Sequence, residues 1–449
     1  MNKKYFFFII KLLFITSLIA SNYVQAANSS LKVGLYPYVP RIEQFKTALL
    51  KEWKVKNPTV DLIFDETWDG GYDTKPSDDL DVFVFDAMNF ANFLSKGYLM
   101  SMKKVDINNI DDFVTYAIEG VKYNDSYYAI PQLGCANILF YKKTDTSVGN
   151  AKSIDQLDSV LKQCTYTSQI PPDRRGLMLD MSGGTTNATF YLDIAHSMNN
   201  KYPLPLPEND SDLSPEVIES MHDLLSMASF ENATKSIEAY ERATWFSNGY
   251  GRALIGFTEH MSAMTKETRD SINFKPLPMS NNNNPPLFYA DVIAVNAKTK
   301  NRELALQLAN IMASTKVMVE SIGADKNSAY PQYLMSTRQS VFKEIGKNFP
   351  IYNKMLIMVQ EYNPIMFKLP ANSEQWLKDM KNDIRTRAQA NYTCGCDRVS
   401  SVVISSYITA NNICTATCAN YGGWNKQWTN ETPAAPLGKS VCGCNSCAN

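Results

Sequence analysis

The stretch LDVFVFDAMN, Leu80–Asn89, runs apolar without a break from Val82 to Phe85 and stops at Asp86. A strand with no polar alternation must be covered on both faces, as happens when helices sandwich a parallel sheet. The preceding segments agree with that demand. LKVGLYPYVP (Leu31–Pro40) alternates and ends in prolines, which predicts a first strand. RIEQFKTALLKEWKVKNP spaces Ile42, Phe45, Leu49 and Trp53 as one helix face and is stopped by Asn57-Pro58. VDLIFDE supplies the next strand, and WDGGYDT reads as a loop with paired glycines. Strand, helix and strand in this order predict a parallel α/β sheet.

Helical patterns dominate from Cys135 to about Pro278, with Ser214 as N-cap, Pro215 in the first helical position and Glu216 in the first turn. The Asn-rich MSNNNNPP is followed by a strand, LFYADVIAVN, and an amphipathic helix, KNRELALQLANIMAST. No internal repeat is visible. With 449 residues, 45% of them apolar, the chain has material for two lobes. The order predicts a chain that crosses twice between them: residues 27–134 and 287–390 in one lobe, 135–286 in the other. Ligands of such folds bind outside strand carboxyl ends and in the cleft between lobes. Asp86, Cys135, Glu259 and Asp291 are expected to converge there.

The N-terminus has Lys3 and Lys4, an apolar stretch interrupted by Lys11, and Val24-Gln25-Ala26 as a small-x-small site. This predicts a cleaved secretory leader over residues 1–26, a secreted or extracytoplasmic protein and no stable membrane anchor. The nine cysteines fit that compartment: seven lie in the tail, residues 391–449, which reads as a disulfide-stapled appendage without a core of its own. Setting Cys135 aside as free leaves an even number, and Cys164 is then available to pair with the tail. Asn-x-Ser/Thr sites at Asn28, Asn124, Asn187, Asn209, Asn232, Asn391 and Asn430 would permit glycosylation. The net charge of −1 gives nothing that points to nucleic acid.

The segments VGLYPYVP, NPTVDLIF, YYAIPQLGCANILFYKK, FSNGYGRALIGFTEH and YADVIAVNAKTKNRELALQLANIMAS resemble the periplasmic-binding-protein type II fold. Cys135 together with Glu259 in GFTEH and Asp291 in FYADV resembles thiaminase I (thiamine pyridinylase), the enzymatic branch of that fold. The resemblance spans roughly residues 31–389 and leaves the tail outside. It implies an α/β, two-lobed architecture with the active site in the inter-lobe cleft. It also implies a reaction in which the thiazole of thiamine is replaced by a pyridine, an aromatic amine or a thiol. Thiamine and this small nucleophile would be the partners, with no cofactor, no metal and a monomeric enzyme. Cys135 takes the role of nucleophile and Glu259 that of general base. Tyr36, Tyr38, Tyr72, Asp86, Tyr240, Tyr289 and Asp291 match the substrate-binding positions.

The chemistry of these residue types is consistent with those roles. A thiol needs a base to become a thiolate, and a carboxylate in a desolvated cleft can have its pKa raised toward neutrality. An ionised aspartate accepts from the pyrimidine amino group, and a protonated one donates to the ring nitrogen. Tyrosine rings suit stacking on the pyrimidine and contact with the thiazolium cation. Each residue also has a plainer reading: buried thiol for Cys135, surface or hinge Glu259, helix cap for Asp86, and core packing for the tyrosines. Tyr36 and Tyr38 are expected on one strand face, with Phe257 and Glu259 likewise paired. Two other functions stand beside the transferase. A non-catalytic secreted binding protein for thiamine or another solute would share fold and cleft. A Cys–His hydrolase would pair Cys135 with His260; if GFTEH is a strand, alternation turns Glu259 and His260 to opposite faces, and no hydrolase signature surrounds Cys135. His196 and His222 sit in helical patterns and read as structural.

Overall fold

The computed structural model describes residues 29–161, 176–228, 233–371, 373–390, 397–430, 435 and 438–445. The expected leader, Cys164, Cys394, Cys396, Cys447 and the sites Asn28, Asn232 and Asn391 lie outside these residues.

Strand β1 (Ser29–Gly34), helix α1 (Ile42–Lys56), β2 (Val60–Phe64) and β3 (Val82–Asp86) form the expected unit, with β1 parallel to both neighbours. Trp53 fixes the helix: it is fully buried and its indole N–H donates to the Val60 carbonyl at 2.9 Å. Every residue of β3 is buried, as its apolar run requires. The first strand is shorter than its alternation suggested. It ends at Gly34, so Tyr36 and Tyr38 lie in the loop beyond it. Pro37 and Pro40 cannot donate to a ladder, and the strand stops ahead of them.

The chain continues through β4 (Ile130–Cys135), β5 (Ile138–Lys142), β6 (Leu177–Met178), α2 (Gly184–Asn199), α3 (Pro215–Met227), β7 (Ala253–Gly256), β8 (Ile272–Pro276) and β9 (Leu287–Val295). Ser214 caps α3 by accepting from the Val217 amide, and Pro215 opens it. The later elements are α4 (Arg302–Met312), β10 (Met335–Ser336), β11 (Ile365–Met366) and α5 (Ser373–Gln389). Two sheets result. A seven-stranded one runs β10-β4-β9-β3-β1-β2, with β11 paired to β9, and a four-stranded one runs β8-β5-β7-β6. The larger sheet is mixed, because β9 is antiparallel to both β3 and β4. β9 arrives directly from the other sheet, so no covering crossover helix forces it parallel.

The chain passes between the sheets at Ala136–Asn137 and again between β8 and β9. A third passage was not foreseen. α5, expected with the first lobe, packs on α2 and α3 and buries Met380, Ile384 and Ala388 in the second sheet's apolar cluster. Its amphipathic pattern shows that one face is buried and cannot show against what.

The tail has a core of its own, contrary to the expectation from composition. Strands β12 (Asp397–Val399), β13 (Trp424–Thr429) and β14 (Val441–Cys444) pair antiparallel beside helix α6 (Tyr407–Thr417). Ile404, Ala410 and Trp424 are buried with the disulfides Cys414–Cys442 and Cys418–Cys444. Cross-links replace much of the apolar area that so small a unit lacks. Of the described glycosylation sites, Asn187 is fully buried, and its amide nitrogen donates to the Met181 and Gly183 carbonyls at 2.8 and 2.9 Å. A glycan cannot occupy that nitrogen in the folded chain. Among the described residues no helix is long and apolar enough to cross a membrane.

Reduction of the Cys414–Cys442 and Cys418–Cys444 disulfides should remove about 2–4 kcal/mol per bridge from that unit. Limited proteolysis under mild reductant is expected to cleave within residues 397–445 while the two-sheet body stays intact; equal cleavage of both would contradict a separately cored tail.

Candidate active site

Asp86 ends β3 and does two things at once. One carboxylate oxygen accepts from the Met88 amide at 2.9 Å, capping a short 3-10 turn, and the other accepts from the Tyr72 hydroxyl at 2.7 Å. The plain reading as a cap is therefore correct and leaves the binding role intact. Tyr72 reaches Asp86 because Gly70 and Gly71 turn the preceding loop with φ of 80° and 87°. Its hydroxyl also meets that of Tyr36 at 2.9 Å. Tyr36 and Tyr38 touch edge to face, with centroids 5.5 Å apart, and Tyr38 meets Tyr72 at 5.7 Å. The expected neighbourhood of the three rings holds, through a loop instead of a strand face.

β9 carries Tyr289 and Asp291 two residues apart, hence on one face. In register, Asp291 stands opposite Asp86, and Tyr289 stands opposite Cys135. Cys135 is the last residue of β4 at the first passage between sheets, and it is free.

Glu259 and His260 do not lie on a strand. β7 ends at Gly256, and Thr258–Ala263 form a 3-10 helix, so the alternation argument does not apply and both residues line the same cavity. The ring of His260 lies against Gly256, where a Cβ would stand 2.8 Å from it. His260 Nδ1 accepts from the Phe257 amide at 3.0 Å, and Tyr240 meets the ring edge-on at 5.1 Å. Burial pulls its pKa down to about 4, which leaves a neutral cap rather than a cysteine's general base. Phe257 lines the cavity beside Glu259, as expected. Tyr240 caps the following helix with a left-handed φ of 66°.

These residues bound one cavity of about 380 Å³, lined by Tyr36, Tyr38, Tyr72, Asp86, Cys135, Tyr240, Glu259, Tyr289 and Asp291. Burial is the largest influence on its ionisable groups. It pushes the Glu259 carboxyl up to about 7, and one of its oxygens has no hydrogen-bond partner. Burial also raises Asp291 well above the carboxylate range, with Asp86 and Glu259 adding repulsion. Asp86 is raised too, but its two donors oppose the shift. Burial and the surrounding carboxyls push the Cys135 thiol well up. Against Asp86, Asp180, Glu238, Glu259 and Asp291 the lining offers Arg242, which is ion-paired to Asp180 at 3.3 Å. Such a cavity favours a cation with aromatic faces. Among the described residues no cluster of three or more His, Cys, Asp or Glu groups is arranged to hold a metal ion.

A family model described as the Thiaminase-1 domain matches residues 136–280. Thiaminase-1 of Paenibacillus thiaminolyticus is 37% identical over 363 residues, covering 79% of this chain and 87% of that one. This chain belongs to the thiaminase I family. A solved structure of Clostridium botulinum thiaminase I in complex with thiamin is similar at a TM-score of 0.75 and 38% identity, over 80% of this chain and 100% of that one. An ABC transporter solute-binding protein from Thermotoga lettingae shares the fold alone, at a TM-score of 0.58 and 13% identity over 80% and 93% of the two chains. The two-sheet body thus shares its fold with a solute-binding protein, and the tail is added to it. A second family model, described as Mannan-binding protein, matches residues 409–444 within that tail.

Several thiaminase cavity residues were not anticipated. Asn137 follows Cys135 by two positions and donates to Asp193 at 3.1 Å and to the Tyr289 hydroxyl at 3.4 Å. Thr185, Thr186 and Thr189 project from the first turns of α2. The only signal for them was GGTTN opening a helix, which carries no chemistry by itself.

A carboxyl whose folded pKa lies above its unfolded value makes the native state bind more protons, so stability falls as pH rises between the two. Glu259 and Asp291 therefore predict a native protein more stable near pH 5 than above pH 7. Asp291→Asn should raise the thermal midpoint at pH 7.5 by about 2 °C or more and shrink the gain on acidification. Thermal scans of both proteins at the two pH values check this; a lowered midpoint would contradict the repulsion.

Proposed function

We propose that the protein degrades thiamine as a transferase, replacing the thiazole with another nucleophile through a covalent cysteinyl-pyrimidine adduct. The observation that carries this reading is the convergence of Cys135, Glu259, Asp86 and Asp291 in one acidic, tyrosine-walled cavity of a thiaminase I family member. Glu259 takes the thiol proton, and the Cys135 sulfur adds to the pyrimidine ring carbon. The C–N bond to the thiazolium then breaks, its electron pair leaving with the neutral thiazole. The acceptor's lone pair next forms a bond to the methylene carbon. The ring takes up the electron pair, and its return expels the sulfur as a thiolate.

The two aspartates divide the pyrimidine between them. Asp86 already accepts two hydrogen bonds and suits the ionised form, which accepts from the amino group. Asp291 stands opposite it, its pKa raised well above the carboxylate range by burial and by the neighbouring Asp86 and Glu259, and is the one to hold a proton for the ring nitrogen. Tyr36, Tyr38, Tyr72, Tyr240 and Tyr289 enclose the pyrimidine and thiazolium rings. The enzyme acts as a secreted monomer without cofactor, on thiamine and a small nucleophile. The two sheets act as its two lobes.

The test is thiamine plus pyridine, with the exchanged product sought by mass spectrometry. No turnover with any acceptor would sink the assignment. Cys135→Ser should lose at least about 10³-fold in kcat, and full activity in that variant would sink the covalent route. The kcat/KM of the native enzyme should rise through a pKa near 7, the value of Glu259. Glu259→Gln should abolish that rise.

The match over residues 409–444 favours a second activity, mannan binding by the tail. The intact chain is expected to be retained on immobilised mannan and a chain ending at residue 390 is not. Equal behaviour of the two would refute it.

A further inference from the structure

A second cavity of about 400 Å³ adjoins the reaction cavity. The two share Tyr36, Tyr38, Tyr72, Met88 and Thr185, while Cys135 and Glu259 line only the first. The far wall of the second cavity is helix α5, which contributes Glu374, Leu377, Lys378 and Lys381, with Leu369 beside them. This is the helix that makes the unforeseen third passage between sheets.

From this arrangement we infer that the second cavity holds the incoming nucleophile, that it selects acceptors carrying an anionic group, and that Lys381 is their anchor. The inference rests on the transferase reading above and specifies its second substrate.

A transferase of this kind must bring a second organic molecule to the methylene carbon while the pyrimidine is still bonded to Cys135. The second molecule therefore needs room beside the first site. A chamber of this size accommodates a single small ring or a short thiol. It meets the reaction cavity at the tyrosine cluster, and Cys135 does not line it.

The charges of the two chambers differ. The reaction cavity is lined by Asp86, Asp180, Glu238, Glu259 and Asp291 against Arg242. The second cavity sets Lys378 and Lys381 against Asp73 and Glu374. Glu374 is already committed: it pairs with Lys96 at 2.7 Å and with Lys378 at 3.0 Å, which holds its pKa down to about 2. Lys381 makes no ion pair among the described residues, and its half-buried stem rests against Gly184 at the start of α2. A cationic thiazolium gains nothing beside this lysine. An acceptor carrying a carboxylate or sulfonate gains a charge-assisted contact there and is repelled by the carboxyls further in. The apolar part of the lining, Leu369, Leu377, Met88 and the Tyr38 ring, suits the acceptor's apolar body.

The measurement compares pyridine with pyridine-3-carboxylate as acceptor at fixed thiamine. The preference is the ratio of their kcat/KM values, charged over neutral. Lys381→Glu is expected to lower that ratio about tenfold and Lys381→Gln by a smaller factor. An unchanged ratio in both variants overturns the proposal, as does an effect on the KM of thiamine in place of the acceptor's. A binding arm makes the test independent of turnover. Saturation-transfer NMR of pyridine-3-carboxylate with the native protein, in the absence of thiamine, should show binding that Lys381→Glu loses. Equal binding to both proteins, or binding to neither, overturns the acceptor site. Absence of turnover with every acceptor while this lysine-dependent binding persists would instead count against the transferase reading alone.

Discussion

Two carboxyls facing each other across an antiparallel strand pair, Asp86 buried and Asp291 half-buried, are the constraint on which the rest of the site depends. Asp86 and Asp291 are in register, so β3 and β9 cannot pair without bringing them together. Like charges at that spacing in a desolvated cavity cannot both ionise at neutral pH. The conflict is settled unequally, because Tyr72 and the Met88 amide serve Asp86 and, among the described residues, no comparable donors serve Asp291. One pair of identical side chains thereby acquires two chemical characters, an acceptor and a donor, at fixed separation. The rings of Tyr36, Tyr38 and Tyr72 follow from the same arrangement, since their hydroxyl and edge contacts lead back to Asp86.

The sequence made much of this visible, for physical reasons that differ from residue to residue. The apolar run of β3 had to be a covered strand, and its first polar residue had to lie at the sheet's carboxyl edge. The period of two in β9 placed Tyr289 and Asp291 on one face without any structure. Cysteine parity left Cys135 room to be free. What escaped was everything set by tertiary geometry. The 3-10 turn at Thr258–Ala263 cannot be told from strand by its sequence, because its apolar neighbours in β7 continue the pattern up to it. The antiparallel sense of β9 and the docking of α5 depend on the route of the chain, which periodicity does not encode. The tail's core was missed because cystine sulfur and two tryptophans replaced the aliphatic residues that usually announce one.

The two sheets also divide the labour. Cys135, Asp86, Asp291 and Tyr289 belong to the larger sheet, whereas Glu259 and Tyr240 come from the segments around β7 in the smaller one. Cys135 and Glu259, the proposed nucleophile and base, therefore sit on separate bodies joined by short connections, and their spacing depends on how those bodies meet. Asn137 stands at the first connection and reaches both: its donors meet Asp193 on α2 and Tyr289 on β9.

The raised pKa of Cys135 has a bearing on survival as well as on reactivity. Thiol–disulfide exchange proceeds through the thiolate, and so does oxidation to sulfenic acid. Among the described residues Cys135 is the free thiol, in the same molecule as the cystines Cys414–Cys442 and Cys418–Cys444. Kept neutral by burial and by Glu259, Asp291 and Asp86, that sulfur is a poor partner for scrambling or peroxide. A cation entering beside those carboxyls would cancel part of their field and ease the proton off. On the proposed reaction the acidic wall is a safety catch, released by the positive charge of the substrate.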